Sequence, residues 1–105
     1  MKRLSFLVWC LAALLPAALP AAEQGADELL KKYGCVGCHA RNAQLAGPSY
    51  VAIAARYRGK AGAAVQLAAK IKKSGPAVWG TVPHPPNAAL PDADVATMVR
   101  AILAQ

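Results

Sequence analysis

The sequence predicts an all-α fold in a single small domain. Its 105 residues suit one domain, and no stretch of useful length alternates apolar and polar side chains as a half-buried strand does. Near the C-terminus, apolar side chains instead recur at i, i+3, i+4, i+7 and i+8, which is the period of an amphipathic helix. They are Val95, Met98, Val99, Ile102 and Leu103.

The first element, residues 1–22, has the pattern of a secretory signal peptide. Two basic residues precede a mostly apolar run at 4–15, and prolines follow before a pair of alanines. A membrane anchor fits less well, because a spanning helix needs about 20 consecutive apolar residues. We predict cleavage after Ala21 or Ala22, export to the periplasm, and a mature domain at 23–105 with no stable membrane insertion.

Four helices are predicted in the mature chain, separated by glycine and proline signals. They are Asp27–Tyr33, Tyr50–Tyr57, Ala61–Lys73 and a last helix that begins around Pro91. Prolines exclude regular structure from residues 75–90, and a loop of that length is usually functional. Tyr50 and Tyr57 are predicted to be core residues with solvated hydroxyl groups.

The charge balance is strongly basic. The formal net charge is +7, and removal of the leader leaves ten basic against five acidic residues. Most of the basic residues lie between positions 31 and 73, where they are predicted to form solvated helix faces with a positive field. Nucleic-acid binding is not indicated, because no reader motif is present. We expect the basic surface to meet acidic docking sites on protein partners.

One short motif carries the chemistry. Cys35-Val36-Gly37-Cys38-His39 is the C-x-x-C-H pattern of c-type haem attachment. Two cysteines on one helical turn can add to the two vinyl groups of one porphyrin, and the adjacent histidine can then bind the iron. A redox cysteine pair lacks its usual βαβ context here, and a zinc site lacks a second pair of ligands. The motif predicts one covalent haem c, which also supplies the core that so short a chain needs.

Beyond this motif, the chain resembles the small monohaem class I bacterial cytochromes c of the c-551 (c8) type. The resemblance covers nearly the whole mature chain, in the stretches Gly34–Ala40, Ala46–Tyr50, Ile71–Lys72, Val78–Gly80 and Pro83–Asn87. It implies a class I cytochrome c fold, with four to five short helices wrapped around one covalent haem. It also implies an electron carrier rather than an enzyme, with no catalytic residues, and we expect a monomer.

The resemblance assigns haem contacts to seven residues by position. Those positions are Cys35 and Cys38 for the thioether bonds, His39 for the proximal ligand, Pro48 for a carbonyl that accepts from His39, Trp79 and Lys70 for a propionate, and Asn87 for a hydrogen bond to the distal ligand.

One position departs from the family pattern. His84 stands where the family places its distal methionine, and Met98, the only methionine in 23–105, belongs to the apolar stripe of the last helix. Imidazole is a good iron ligand, so we predict bis-histidine ligation by His39 and His84. The function predicted is periplasmic transfer of single electrons between a respiratory donor and a terminal reductase, oxidase or peroxidase. The alternative is five-coordinate iron that binds a gas or peroxide, as in a sensor or a small peroxidase.

Overall fold

The structure, a computed structural model, describes residue 10, residues 12–16 and residues 21–105. Most of the predicted signal peptide lies outside the described residues, so the division into 1–22 and 23–105 stays a prediction. Within the described part of the chain, no helix is both long enough and apolar enough to span a bilayer.

Four α-helices form the described domain. They are α1 (Ala21–Lys32), α2 (Tyr50–Tyr57), α3 (Ala63–Lys73) and α4 (Asp92–Leu103), with one 3-10 turn at Cys35–Gly37. An isolated antiparallel bridge joins His39 to Gln44, and no longer strand occurs in the described residues. The all-α prediction is confirmed, and so is the long loop between α3 and α4.

The helix bounds follow from local chemistry. The Ser49 side chain accepts a hydrogen bond from the Ala52 amide at 3.0 Å, which caps α2 at the predicted residue. Gly62 adopts a left-handed φ of 75°, so α3 begins two residues later than predicted. The predicted start of α1 was wrong by six residues, because the alanine and glutamate before Asp27 are good helix formers.

The core lies against α4, which packs on α1, α2 and α3. Val95, Met98 and Val99 are its largest fully buried side chains. Met98 is therefore a core residue, as the apolar stripe predicted. Tyr33, the residue directly after α1, donates a 2.5 Å hydrogen bond to Asp94, which connects the end of α1 to the start of α4. The 75–90 loop connects α3 to α4 and contacts α2 and α3.

Candidate functional site

The loop and the four helices enclose a cavity of about 430 Å³. This volume lies in the range of small-molecule and cofactor sites, about 300–1,000 Å³. The side chains that line it are mainly apolar, among them Leu30, Ile53, Ile71 and Ile102. All eight residues that the sequence assigned to the site also line it. They are Cys35, Cys38, His39, Pro48, Lys70, Trp79, His84 and Asn87.

The C-x-x-C-H segment forms one wall of this cavity. Gly34 adopts a left-handed φ of 75°, which turns the chain from α1 into the 3-10 turn. The amide of His39 then donates to the Cys35 carbonyl at 3.0 Å. This compact turn brings both thiols and the His39 ring to the same cavity. Burial raises the pKa of the Cys35 thiol above its usual 9.0.

The His39 ring is held from two sides. Its Nδ1 lies 2.7 Å from the carbonyl oxygen of Pro48. Because a carbonyl only accepts, Nδ1 carries the hydrogen and the lone pair stays on Nε2. The Tyr50 ring stacks on the imidazole with centroids 5.7 Å apart and planes inclined by 22°. The sequence therefore presents His39 in the tautomer that binds a metal through Nε2.

Gly47 is a site residue that the sequence reasoning missed as such. A Cβ at this position would lie 2.5 Å from Cε1 of His39 and 3.0 Å from both ring nitrogens. Only glycine lets the backbone pass this close to the imidazole. The available signal was the Gly-Pro pair directly before the Ser49 cap, but the approach itself is tertiary.

Tyr50 departs from its predicted environment. Its side chain lines the cavity, and its hydroxyl is buried with no hydrogen-bond partner in the described residues. Burial raises its pKa to about 12, because the phenolate is poorly solvated. The prediction of a solvated hydroxyl for Tyr50 was wrong, since the ring packs inward against His39.

His84 faces His39 across the cavity. The two ring centroids are 6.1 Å apart, and the ring planes are inclined by 19°. Nδ1 of His84 lies 2.9 Å from the carbonyl of Pro85, so its hydrogen is also on Nδ1 and its lone pair on Nε2. Burial lowers the pKa of His84 below its usual 6.5, against the opposing effect of the Pro85 carbonyl. The neutral form that ligates metals is thereby favoured.

The remaining predicted residues hold the loop. Lys70 Nζ donates to the Pro76 carbonyl at 2.9 Å. The backbone N–H of Asn87 donates to the Ile71 carbonyl at 3.0 Å. The resemblance had assigned Asn87 to the distal ligand, but the acceptor for His84 Nδ1 is the Pro85 carbonyl.

Trp79 is 40% exposed where it lines the cavity. The guanidinium of Arg56 lies 4.9 Å from the centre of its ring. The sequence had placed Arg56 on a solvated helix face, and the structure adds this contact with the indole.

The cavity fits a haem. It combines an apolar lining, two thiols on one wall, and two imidazoles whose centroids are 6.1 Å apart and whose Nδ1 atoms each lie at a proline carbonyl. It also holds a buried hydroxyl that the described residues leave without a partner. An apolar lining, a pair of cysteines and nearby imidazoles are the groups that a covalently attached haem requires of its protein.

Comparison with known proteins agrees with this assignment. No protein-family model matches the chain. Cytochrome c-551 of Pseudomonas aeruginosa is 43% identical over 79 residues, which cover 75% of each chain. Cytochrome c-552 of Nitrosomonas europaea is 41% identical over 91 residues, which cover 87% of this chain and 85% of that protein.

The solved structures agree as well. The crystal structure of wild-type Nitrosomonas europaea cytochrome c552 superposes with a TM-score of 0.71 at 41% identity, over 74% of this chain and 96% of that one. The order of the helices, the lining of the cavity and the sequence identities therefore all indicate the same protein family. The chain belongs to the small monohaem class I cytochromes c of the c-551/c-552 type, and as such it is an electron carrier with one covalent haem c rather than an enzyme.

Proposed function

We propose that this cytochrome carries single electrons in the periplasm through a haem with two histidine ligands. Cys35 and Cys38 form the thioether bonds, His39 is the proximal ligand and His84 is the distal ligand. The haem supplies an Fe(II)/Fe(III) couple when bound. The protein supplies the ligands, an apolar pocket and an oriented attachment turn.

One observation carries the proposal, namely the facing pair of imidazoles. A metal–imidazole bond is about 2 Å long, and the ring centre lies about 1 Å beyond the nitrogen, so two axial imidazoles have centres about 6 Å apart. The rings of His39 and His84 are 6.1 Å apart. Their separation matches that of a bis-histidine pair.

The environment of each ring supports the same assignment. A proline carbonyl holds each Nδ1–H, from Pro48 for His39 and from Pro85 for His84. Such contacts fix the tautomer of a ligating histidine and raise its basicity. Met98 lines the cavity from α4 as part of the apolar core, so the 75–90 loop itself presents the imidazole of His84 and no thioether.

Other lining residues surround the two imidazoles. Pro48 and Tyr50 contact His39, and Pro83, Pro85 and Pro86, which neighbour His84 in the chain, also line the cavity. If His39 and His84 both bound the iron, no position would be left for an exogenous gas or peroxide. The 6.1 Å separation of the two rings supports this reading over the five-coordinate alternative.

Carbon monoxide binding to the reduced protein tests the distal ligand. We expect wild type to resist the gas and His84→Ala to bind it readily, with a shift of the Soret band. His84→Met is the matched variant, because it restores a family-type thioether in the same loop. It should resist carbon monoxide and have a higher reduction potential than wild type, since Met/His ligation raises the potential. Wild type that binds the gas as readily as His84→Ala would refute ligation by His84.

We further propose that redox partners dock through acidic surfaces against the basic face of this domain. Lys70 lines the cavity, Arg56 contacts Trp79 at its edge, Lys73 lies on the same helix as Lys70, and Lys60 lies between α2 and α3. Exposed charges steer association, and salt screens them within roughly 8 Å at physiological ionic strength. Electron-transfer rates with an acidic partner should fall as salt rises. A rate that is independent of salt would refute electrostatic docking.

Export is the remaining part of the proposal. The mass of the holoprotein recovered from the periplasm should equal residues 22–105 or 23–105 plus one haem. A haem-loaded chain that retains residues 1–21 would refute cleavage of the leader.

A further inference from the structure

Trp79 closes an exposed corner of the cavity. It lies in the loop between α3 and α4, directly before Gly80, whose φ of 91° turns the chain. Its side chain lines the cavity and is still 40% exposed. Because much of the indole is in contact with solvent, burial alone does not fix its position, and a specific contact is needed to hold it against the cavity.

Arg56 supplies that contact from α2. Its guanidinium carbon lies 4.9 Å from the centre of the Trp79 ring. Nη1 of the same side chain donates to the carbonyl of Val78 at 3.3 Å. One side chain therefore grips two consecutive loop residues, by a cation–π contact and by a hydrogen bond.

Lys70, the cation that the sequence had placed beside Trp79, is occupied elsewhere. Its Nζ donates to the Pro76 carbonyl at 2.9 Å. Each of two helices therefore contributes one cation to this loop. Lys70 of α3 contacts its first residues, and Arg56 of α2 contacts Trp79.

We propose that Arg56 is a positioning residue that keeps the Trp79 indole against the haem cavity. It acts through Trp79 and not on the iron. The inference rests on the covalent haem of this family and does not depend on His84 as a ligand. A failure of the carbon monoxide test would therefore leave it standing, and the reverse also holds.

The fluorescence of Trp79 in the holoprotein reports its position. The chain has two tryptophans, and Trp9 lies in the predicted leader, so the exported protein is expected to carry Trp79 alone. Haem quenches an adjacent indole strongly and a displaced one weakly. The amplitudes of the fast and slow fluorescence decays therefore give the ratio of docked to displaced Trp79.

We expect Arg56→Ala to lower this ratio about two- to fivefold, which corresponds to the loss of an exposed cation–π contact. Arg56→Lys keeps the charge but loses the planar fork, so its ratio should fall between those of wild type and Arg56→Ala. Arg100→Ala is the matched control, because it removes the same charge from α4, where the described contact of that side chain is with Thr97.

Two results would overturn the proposal. One is a decay in Arg56→Ala that matches wild type. The other is an equal redistribution in Arg100→Ala, which would show a general effect of charge. Both variants change exposed surface residues, so folded holoprotein is expected from each.

Discussion

The two histidines are held by very different pieces of backbone. His39 follows a 3-10 turn, hydrogen bonds through Nδ1 to Pro48, and lies between Gly47 and the stacked ring of Tyr50. His84 lies in an irregular loop, and the described polar contact of its ring is with the carbonyl of the next residue. The proximal side is therefore fixed by packing, whereas the distal side is fixed by a few tethers. We therefore expect substitutions around His39 to lower the stability of the protein more than substitutions in the loop that carries His84.

The largest effect is expected from Gly47→Ala. The new methyl group would overlap the His39 imidazole, with a separation of 2.5 Å from Cε1, and neighbours on both sides prevent a simple shift of the ring. Overpacking of this kind costs about 1–3 kcal/mol, and here it also displaces the ring of His39, the proposed proximal ligand. The free energy of unfolding of the holoprotein and its haem spectrum measure both effects.

Gly37→Ala is the control for this variant. It lies in the same attachment segment, but its Cβ would meet no atom within 4 Å, and its φ is outside the left-handed region. We expect it to resemble wild type. A stable Gly47→Ala holoprotein with an unchanged spectrum would show that the proximal side is not rigidly packed.

On the distal side, Ser74→Gly should stabilise the protein. Ser74 ends α3 with φ 67° and ψ −149°, a conformation that only glycine adopts readily. Relief of this strain, less the backbone entropy of glycine, should add about 1 kcal/mol to the free energy of unfolding. Denaturant unfolding measures it.

Ser74→Ala distinguishes an effect of the backbone conformation from an effect of the lost hydroxyl group. It removes the hydroxyl but keeps the Cβ, so it should bring no gain. Equal stabilisation by alanine would mean that the hydroxyl, and not the backbone conformation, limits the start of the loop.

The smallest effect is expected from the ion pair between Lys72 of α3 and Asp92 of α4, because both groups reach solvent. The hydrogen bond and charge of Lys72 lower the pKa of Asp92 below its usual 3.8. The stability that this pair contributes is therefore present above pH 3.8 and is lost as the pH falls through the lowered pKa. Asp92→Asn should be slightly less stable than wild type at neutral pH and equal to it in acid.

A double-mutant cycle with Lys72→Met isolates the pair. A difference between Asp92→Asn and wild type that persists in acid would assign the effect to the helix terminus and not to the ion pair.

The sequence predicted the proximal side better than the distal side, for a physical reason. The C-x-x-C-H turn and the helix at Tyr50–Tyr57 are encoded by neighbouring residues, so their spacing indicates their geometry. The acceptor for His84 depends on how the 75–90 loop folds. The resemblance named Asn87 at that position, whereas the structure has the Pro85 carbonyl.

Contacts between distant segments were the hardest to predict. Gly47 matters because of a close approach to His39, and Arg56 because α2 lies beside the loop. Neither fact is contained in helical periodicity. The start of α1 is a different case, because helix-forming residues directly before Asp27 extend the helix and their propensity is local.

The hydrogen bonds that hold the 75–90 loop determine what a substitution at position 84 can change. Prolines carry no N–H, so this loop is held mainly through its carbonyls, those of Pro76 and Val78 accepting from helix cations. Among the described residues, the loop's one backbone donor to a helix is the main-chain amide of Asn87. None of these three tethers involves the side chain at position 84. These contacts therefore do not depend on the residue at position 84, and the iron ligand that we propose there can be exchanged while the contacts persist. A single codon change can alter the redox chemistry of such a carrier while its fold stays the same.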